Sequence, residues 1–129
     1  MASVIPLAKA IYFCDDILSD PVRGKPHLIG VLNTVRVSAF PHALARLCIF
    51  ARLVGGYGEV RCQIRVVNAH DRDVVYQSPA QIVRFDDRRQ TRYFVLQLTQ
   101  ITIHAAGEFW VEFYCNDQFV DDATLRFLG

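Results

Sequence analysis

Three groups of residues have side chains capable of chemistry. The first is Cys14-Asp15-Asp16, with Asp20 close behind. Adjacent carboxylates can hold a divalent cation, because hard ions take oxygen ligands. These aspartates lack the ordered spacing of a calcium loop. In a strand, Asp15 and Asp16 would point to opposite faces. Either carboxylate can instead accept backbone N–H groups from the loop that follows. The second group is His70-Asp71-x-Asp73. An imidazole beside carboxylates can take a proton or hold zinc, but its polar surroundings read as a solvated turn. The third is a thiolate–imidazole pair made by Cys14 with His27 or His70. Four cysteines and four histidines allow so many pairings that sequence alone favours none.

Two further carboxylate pairs, Asp86-Asp87 and Asp121-Asp122, have simpler uses than acid–base catalysis. Arg88-Arg89 follows the first and compensates it locally. The second interrupts the last β-prone region, as a bulge or a protected edge does. No Gly-x-Ser-x-Gly elbow is present, which removes serine hydrolase chemistry of that type. Gly24-Lys25-Pro26 is a turn, since a phosphate loop needs Gly-x-x-x-x-Gly-Lys before a helix. His42 and His104 are isolated. The expectation is no cofactor and no catalytic residue. The alternative is a small metal-dependent hydrolase using Asp15 and Asp16 with His27 or His70.

The elements that would position these groups follow a period of two. In Glu59-Val60-Arg61-Cys62-Gln63-Ile64-Arg65-Val66 every even position is apolar and every odd one polar, the pattern of a half-buried strand. Further strands are expected at Lys9–Cys14, at Leu28–Leu32 (running on towards Val37) and at Leu47–Leu53. Later ones follow at Ala80–Phe85, Arg92–Ile103 and Glu108–Cys115, with a short stub at Val74–Tyr76 and one last β region that starts at Gln118–Val120 and resumes at Thr124–Leu128. Gly55-Gly56-Tyr57-Gly58 and Asn116-Asp117 are turns. The link at 55–58 permits either a hairpin or a crossing between sheets. Phe40–Arg46 has room for one helical turn with proline near its start.

Seven to nine short antiparallel strands with alternating faces need a second layer to cover them. The fold class is therefore all-β, a two-layer β-sandwich with immunoglobulin-like or related Greek-key topology. One domain spans residues 1–129. A chain of this size buries roughly two-thirds of its extended surface, so it needs no metal or disulfide staple. An apolar fraction of 52%, with nine Phe and five Tyr, excludes disorder. The net charge of +1 gives no general case for nucleic acid, although Arg61, Arg65, Arg84, Arg88, Arg89 and Arg92 lie among aromatics. No apolar run reaches the ~20 residues of a membrane span, and Met1–Leu7 does not read as a secretory leader. Cys14, Cys48, Cys62 and Cys115 have neither metal-hook nor redox-pair spacing. They read as small buried hydrophobes in a reducing compartment, with Cys62 and Cys115 on apolar faces.

Two stretches carry a resemblance. One is Phe13-Cys14-Asp15-Asp16-Ile17, continued by Gly24-Lys25-Pro26-His27-Leu28-Ile29-Gly30-Val31 and Phe40-Pro41. The other runs from Gly107 through Trp110 to Phe119. Together, from about Ala10 to Leu128, they resemble a family of small bacterial proteins known only as a domain of unknown function. The resemblance implies a compact β-sandwich of the bacterial cytoplasm and supplies no catalytic residues. Fold by itself does not fix function.

The strand Glu108–Cys115 has a surplus. Phe109, Val111 and Phe113 fill one face, yet Trp110 and Tyr114 occupy the other. Tyr93–Leu98 is also apolar on both faces. Surplus aromatics are covered by a loop, such as Ser19–His27, or by a partner, since Tyr and Trp are favoured at interfaces. The expectation is a non-enzymatic interaction module, a homodimer or a binder of another bacterial protein. Its face is centred on Trp110 and Tyr114 with Glu112 between them.

Overall fold

The alternation in the sequence becomes strand after strand in the computed structural model, which describes residues 3–19, 24–99 and 101–129. Twelve strands are present among these residues: β1 (Leu7–Ser19), β2 (Pro26–Leu32), β3 (Thr34–Arg36), β4 (His42–Leu44), β5 (Leu47–Val54), β6 (Gly58–Asn68), β7 (Val74–Gln77), β8 (Gln81–Phe85), β9 (Arg92–Leu98), β10 (Ile101–Ile103), β11 (Gly107–Cys115) and β12 (Gln118–Leu128). They form three sheets. A four-stranded sheet has the order β2-β1-β5-β9. A six-stranded sheet has the order β3-β12-β11-β6-β7, with β8 also pairing β6. β10 and β4 make a two-stranded sheet. Every pairing is antiparallel except β3 with β12.

The protein is all-β, as expected, but it is not the simple arrangement of seven to nine antiparallel strands. Three differences have local causes. The run from Leu28 towards Val37 breaks at Asn33, so β2 joins the four-stranded sheet and β3 crosses to the six-stranded one. The run Arg92–Ile103 divides into β9 and β10, again in different sheets. The segment Phe40–Arg46 contains strand β4 rather than a helical turn, after a cis Phe40–Pro41 bond. Asp121-Asp122 does not break its strand. β12 runs through it, and the irregularity appears as a register shift opposite Phe113/Tyr114. The Gly55–Gly58 link crosses between sheets, since β5 belongs to one and β6 to the other.

The core draws on all three sheets. From the four-stranded sheet come Phe13, Ile49, Ala51, Leu53, Phe94 and Leu98. From the six-stranded sheet come the even positions of β6 (Val60, Cys62, Ile64, Val66) and the odd positions of β11 (Phe109, Val111, Phe113, Cys115), joined by Leu125 and Phe127. Leu44, Ile101 and Ile103 enter from the small sheet. Phe94 meets Phe113 edge to face at 5.1 Å between ring centroids, linking the two large sheets. Phe109 and Phe127 meet similarly at 5.5 Å, on the consecutive, paired strands β11 and β12. Ser78, between β7 and β8, is a buried polar residue, and its hydroxyl accepts the N–H of Ile64 at 2.8 Å.

The outer edge of the four-stranded sheet is irregular. Gly30 of β2 has φ of +70°, and a Cβ there would collide with the Asp15 carboxylate on β1. Only glycine takes this backbone and leaves that space open. The resulting kink interrupts the edge strand that would otherwise offer a straight row of donors and acceptors to another chain.

Candidate functional site

The acidic, histidine-bearing candidates lie on two different sheets. Asp15 and Asp16 are on β1, and His27 is on β2 opposite Leu18. The Asp16 carboxylate accepts the N–H of Ile17 at 2.8 Å and pairs with the Arg46 guanidinium. Asp15 packs over Gly30. His70 sits in the β6–β7 turn of the six-stranded sheet. There Asn68 Oδ1 accepts the His70 N–H at 2.8 Å, and Asp71 Oδ1 accepts the Asp73 N–H at 2.9 Å. These are turn-forming bonds of the kind short polar side chains make. Asp20 lies outside the described residues. Among the described residues, no group of three or more His, Cys, Asp and Glu side chains is placed to hold a metal ion.

The Asp86-Asp87 pair is compensated locally. Asp86 bonds Arg84 at 3.1 Å, and Asp87 bonds Arg89 at 2.9 Å. The Arg89 side chain and N–H hold the Asp87 carboxyl below the usual carboxylate range. Asp122 behaves in the opposite sense. Burial raises its pKa first, and Asp121 and then Glu112, directly opposite on β11, raise it further.

The four cysteines, which sequence spacing left unpaired, fall into two cross-strand couples. Cys14 is opposite Cys48 on β1 and β5, and Cys115 is opposite Cys62 on β11 and β6. All four are buried free thiols. Burial and the neighbouring Cys48 push the Cys14 thiol up, away from the range of a nucleophilic thiolate. Cys62 and Cys115 are both fully buried, as their strand faces implied, and their sulfurs stand 3.7 Å apart. Sequence distance hid these couples, because only strand register brings the members together.

The aromatic face chosen from sequence is present. Trp110, Glu112 and Tyr114 share the outer face of β11, with Trp110 and Tyr114 half-buried. Tyr114 donates its hydroxyl to Glu112 Oε1 at 2.9 Å. The Arg65 guanidinium lies 4.8 Å from the ring centroid, and Phe119 meets the ring edge to face at 5.9 Å. Burial, then the bond to Glu112, raises the Tyr114 phenol, and Arg65 opposes the shift. Beside Tyr114 is a small polar cleft of about 80 Å³ lined by Gln63, Arg65, Gln77 and Asp117. Phe119 is 53% exposed at the rim.

A second apolar face, larger and less occupied, covers the outside of the four-stranded sheet. Tyr12, Phe50 and Tyr93 form a row across β1, β5 and β9, with centroids 6.5 and 5.3 Å apart. Phe50 is buried between the two tyrosines, and both of them are exposed. Val31 is opposite Cys14 on this face and Ile29 opposite Asp16, while Val95 is opposite Phe50. Leu18 extends the patch at one end. Val31 is 58% exposed, and Leu18, Ile29 and Val95 are also open to solvent. The rim is polar. Arg52 stands at one end, and towards the other the Asp16–Arg46 pair lies between Leu18 and the rest of the patch. This face was missed as a site. Its signal was the row of apolar residues on both faces of Lys9–Cys14 and Tyr93–Leu98.

The model of a family described as "Family of unknown function (DUF6941)" matches residues 9–128. No curated protein matches the chain.

Proposed function

The chain belongs to that family of unknown function, and we propose that it is a non-enzymatic interaction module that pairs with a second copy of itself. The observation that carries this reading is the open apolar face of Tyr12, Leu18, Ile29, Val31, Tyr93 and Val95 around the buried Phe50. Each of these residues is 41–58% exposed, and apolar patches of roughly 300–600 Å² on a monomer are often functional. With its polar rim, the face approaches the ~800 Å² per partner of a standard interface. An apolar centre inside a charged rim is the usual anatomy of such a surface. Two copies related by a two-fold axis, face to face and reversed end for end, would set Arg52 of one against the Asp16–Arg46 pair of the other. The two Arg52 side chains are thereby kept apart.

A second reading keeps the contact on the six-stranded sheet, at Trp110, Glu112 and Tyr114. The exposed ring of Phe119 beside Tyr114 favours it. Against it, Tyr114 already has partners in Glu112, Arg65 and Phe119 within its own chain. We read the two large sheets as layers of a sandwich of the immunoglobulin-like or related Greek-key kind. The Phe94–Phe113 contact supports that layering. The four free thiols fit a reducing setting such as a bacterial cytoplasm.

Sedimentation equilibrium and native mass spectrometry test the proposal on three forms of the full chain. The wild type is expected as a dimer, and the pair Val31→Asp with Val95→Asp as a folded monomer. The pair Trp110→Ala with Tyr114→Ala is expected to remain a dimer. Dissociation by the second pair alone would move the contact to the β11 face. A wild type that stays monomeric at high protein concentration would refute self-pairing.

A further inference from the structure

The interior of the six-stranded sheet holds a reactive couple that neither the interaction reading nor the family assignment uses. Cys62 and Cys115 are directly opposite each other on antiparallel β6 and β11. The next pair outward, Arg61 and Asn116, is joined by the Asn116 N–H donating to the Arg61 carbonyl at 2.8 Å. Antiparallel ladders alternate, so the cysteine pair occupies a position without mutual backbone hydrogen bonds. Side chains stand closest at such positions, and Cα atoms lie about 4.5 Å apart. That separation falls within the ~4.4–6.8 Å window for a disulfide, near its short end. The sulfurs are already 3.7 Å apart and face each other.

We propose that Cys62 and Cys115 are an oxidation site, converted by hydrogen peroxide into a cross-strand disulfide that staples β6 to β11. The reaction balances with peroxide as the sole oxidant. The Cys115 sulfur attacks one peroxide oxygen, the O–O bond breaks, and the departing hydroxide takes the thiol proton as water. The Cys62 sulfur then attacks the sulfenic sulfur left on Cys115, the S–O bond breaks as the S–S bond forms, and the departing hydroxide takes the Cys62 proton as a second water. Two thiols lose two electrons in all, and one peroxide gains them. Both thiols are fully buried, and Cys62 and burial together disfavour ionisation of Cys115, so the closed protein is protected. Access comes from the adjacent hairpin tip. Cys115 is the last residue of β11, and Asn116 and Asp117 follow with positive φ. The Asn116 side chain latches that tip, accepting the Arg61 N–H at 3.0 Å and bonding Ser3 Oγ at 3.3 Å. Opening the tip exposes the couple to a molecule as small as peroxide. A dithiol reductant reverses the step. The site lies on the opposite sheet from the proposed dimer face and does not depend on it.

The test treats the reduced full chain with hydrogen peroxide, then denatures it, alkylates it and maps the peptides by mass. The expected product is two hydrogens lighter, with the Cys62 peptide joined to the Cys115 peptide and with Cys14 and Cys48 alkylated. A variant with Cys14→Ala and Cys48→Ala should give the same crosslink, and Asn116→Ala should form it several-fold faster. Circular dichroism before quenching confirms that the protein was folded. A Cys14–Cys48 bond, an intermolecular bond, sulfinic acids without a crosslink, or four alkylated thiols after prolonged peroxide would each overturn the proposal.

Discussion

Replacing Phe94 and Phe113 by leucine, singly and together, measures whether the two large sheets hold each other. The rings belong to different sheets, are almost fully buried, and meet edge to face at 5.1 Å with 71° between their planes. Leucine preserves the apolar character and removes part of the ring, so neither variant leaves a buried polar group. Each single change should cost about 1–3 kcal/mol from lost apolar contact and a partly collapsed cavity. An aromatic pair contributes a further ~0.5–1.5 kcal/mol beyond its buried area. Because either change destroys that ring pair, the double variant should be less destabilised than the sum by about that amount. Urea titration of the four proteins reads the free energies, with the slope checked for constancy so that midpoint shifts report stability. Costs that add within about 0.3–0.5 kcal/mol would mean the rings do not interact, because independent sites behave that way. The face-to-face placement of the sheets would then lose its best-defined contact.

Two further outcomes follow from single polar groups. Ser78→Ala removes the acceptor for the Ile64 N–H inside the protein, and should lower stability by about 1–3 kcal/mol in the same titration. Ser78→Thr, which keeps the oxygen, should recover part of that loss. Asp122→Asn removes a carboxylate facing Glu112 and next to Asp121, and should raise stability at neutral pH by about 0.2–1 kcal/mol. The Asp122 pKa is raised in the folded state, so the native chain holds its proton more tightly than the unfolded chain. Its contribution is fully present below the unfolded carboxylate pKa and is lost as pH rises through the raised one. The stability gain of Asp122→Asn should therefore shrink as pH falls through the carboxylate range. A gain that is constant with pH would refute this account.

Much of the fold was legible because burial imposes a period on the chain. The alternation of Glu59–Val66 placed Cys62 and Ile64 inward correctly, and that of Glu108–Cys115 did the same for Phe109, Val111 and Phe113. What a period cannot show is where a β-prone run changes sheets. Thr34–Arg36 continues the composition of β2, yet β3 pairs with the far end of the chain. Composition within a run does not record which strand lies beside it. The same gap hid the face proposed here as a contact surface. Trp110 and Tyr114 stood out because large aromatics at outward positions are conspicuous. The four-stranded face is assembled from Tyr12, Val31 and Val95, each unremarkable in its own segment. The cysteine couples were invisible for the same reason: register, not spacing, sets who meets whom.

The parallel pairing of β3 with β12 has a consequence for how the molecule comes apart. β12 is held on one side by the hairpin with β11, whose residues are its neighbours in sequence. On its other side it holds only three residues, Thr34 to Arg36, drawn from a distant part of the chain. Val37 N–H to the Leu128 carbonyl and Arg126 N–H to the Asn33 carbonyl complete that seam. Closing so long a loop for so few bonds is entropically dear, and such contacts form late and open early. The seam is thus the natural first tear line. Amide exchange at Arg126 and Val37 should run ahead of that in the β6–β11 ladder, a partial opening that frees β3 while the rest stays folded.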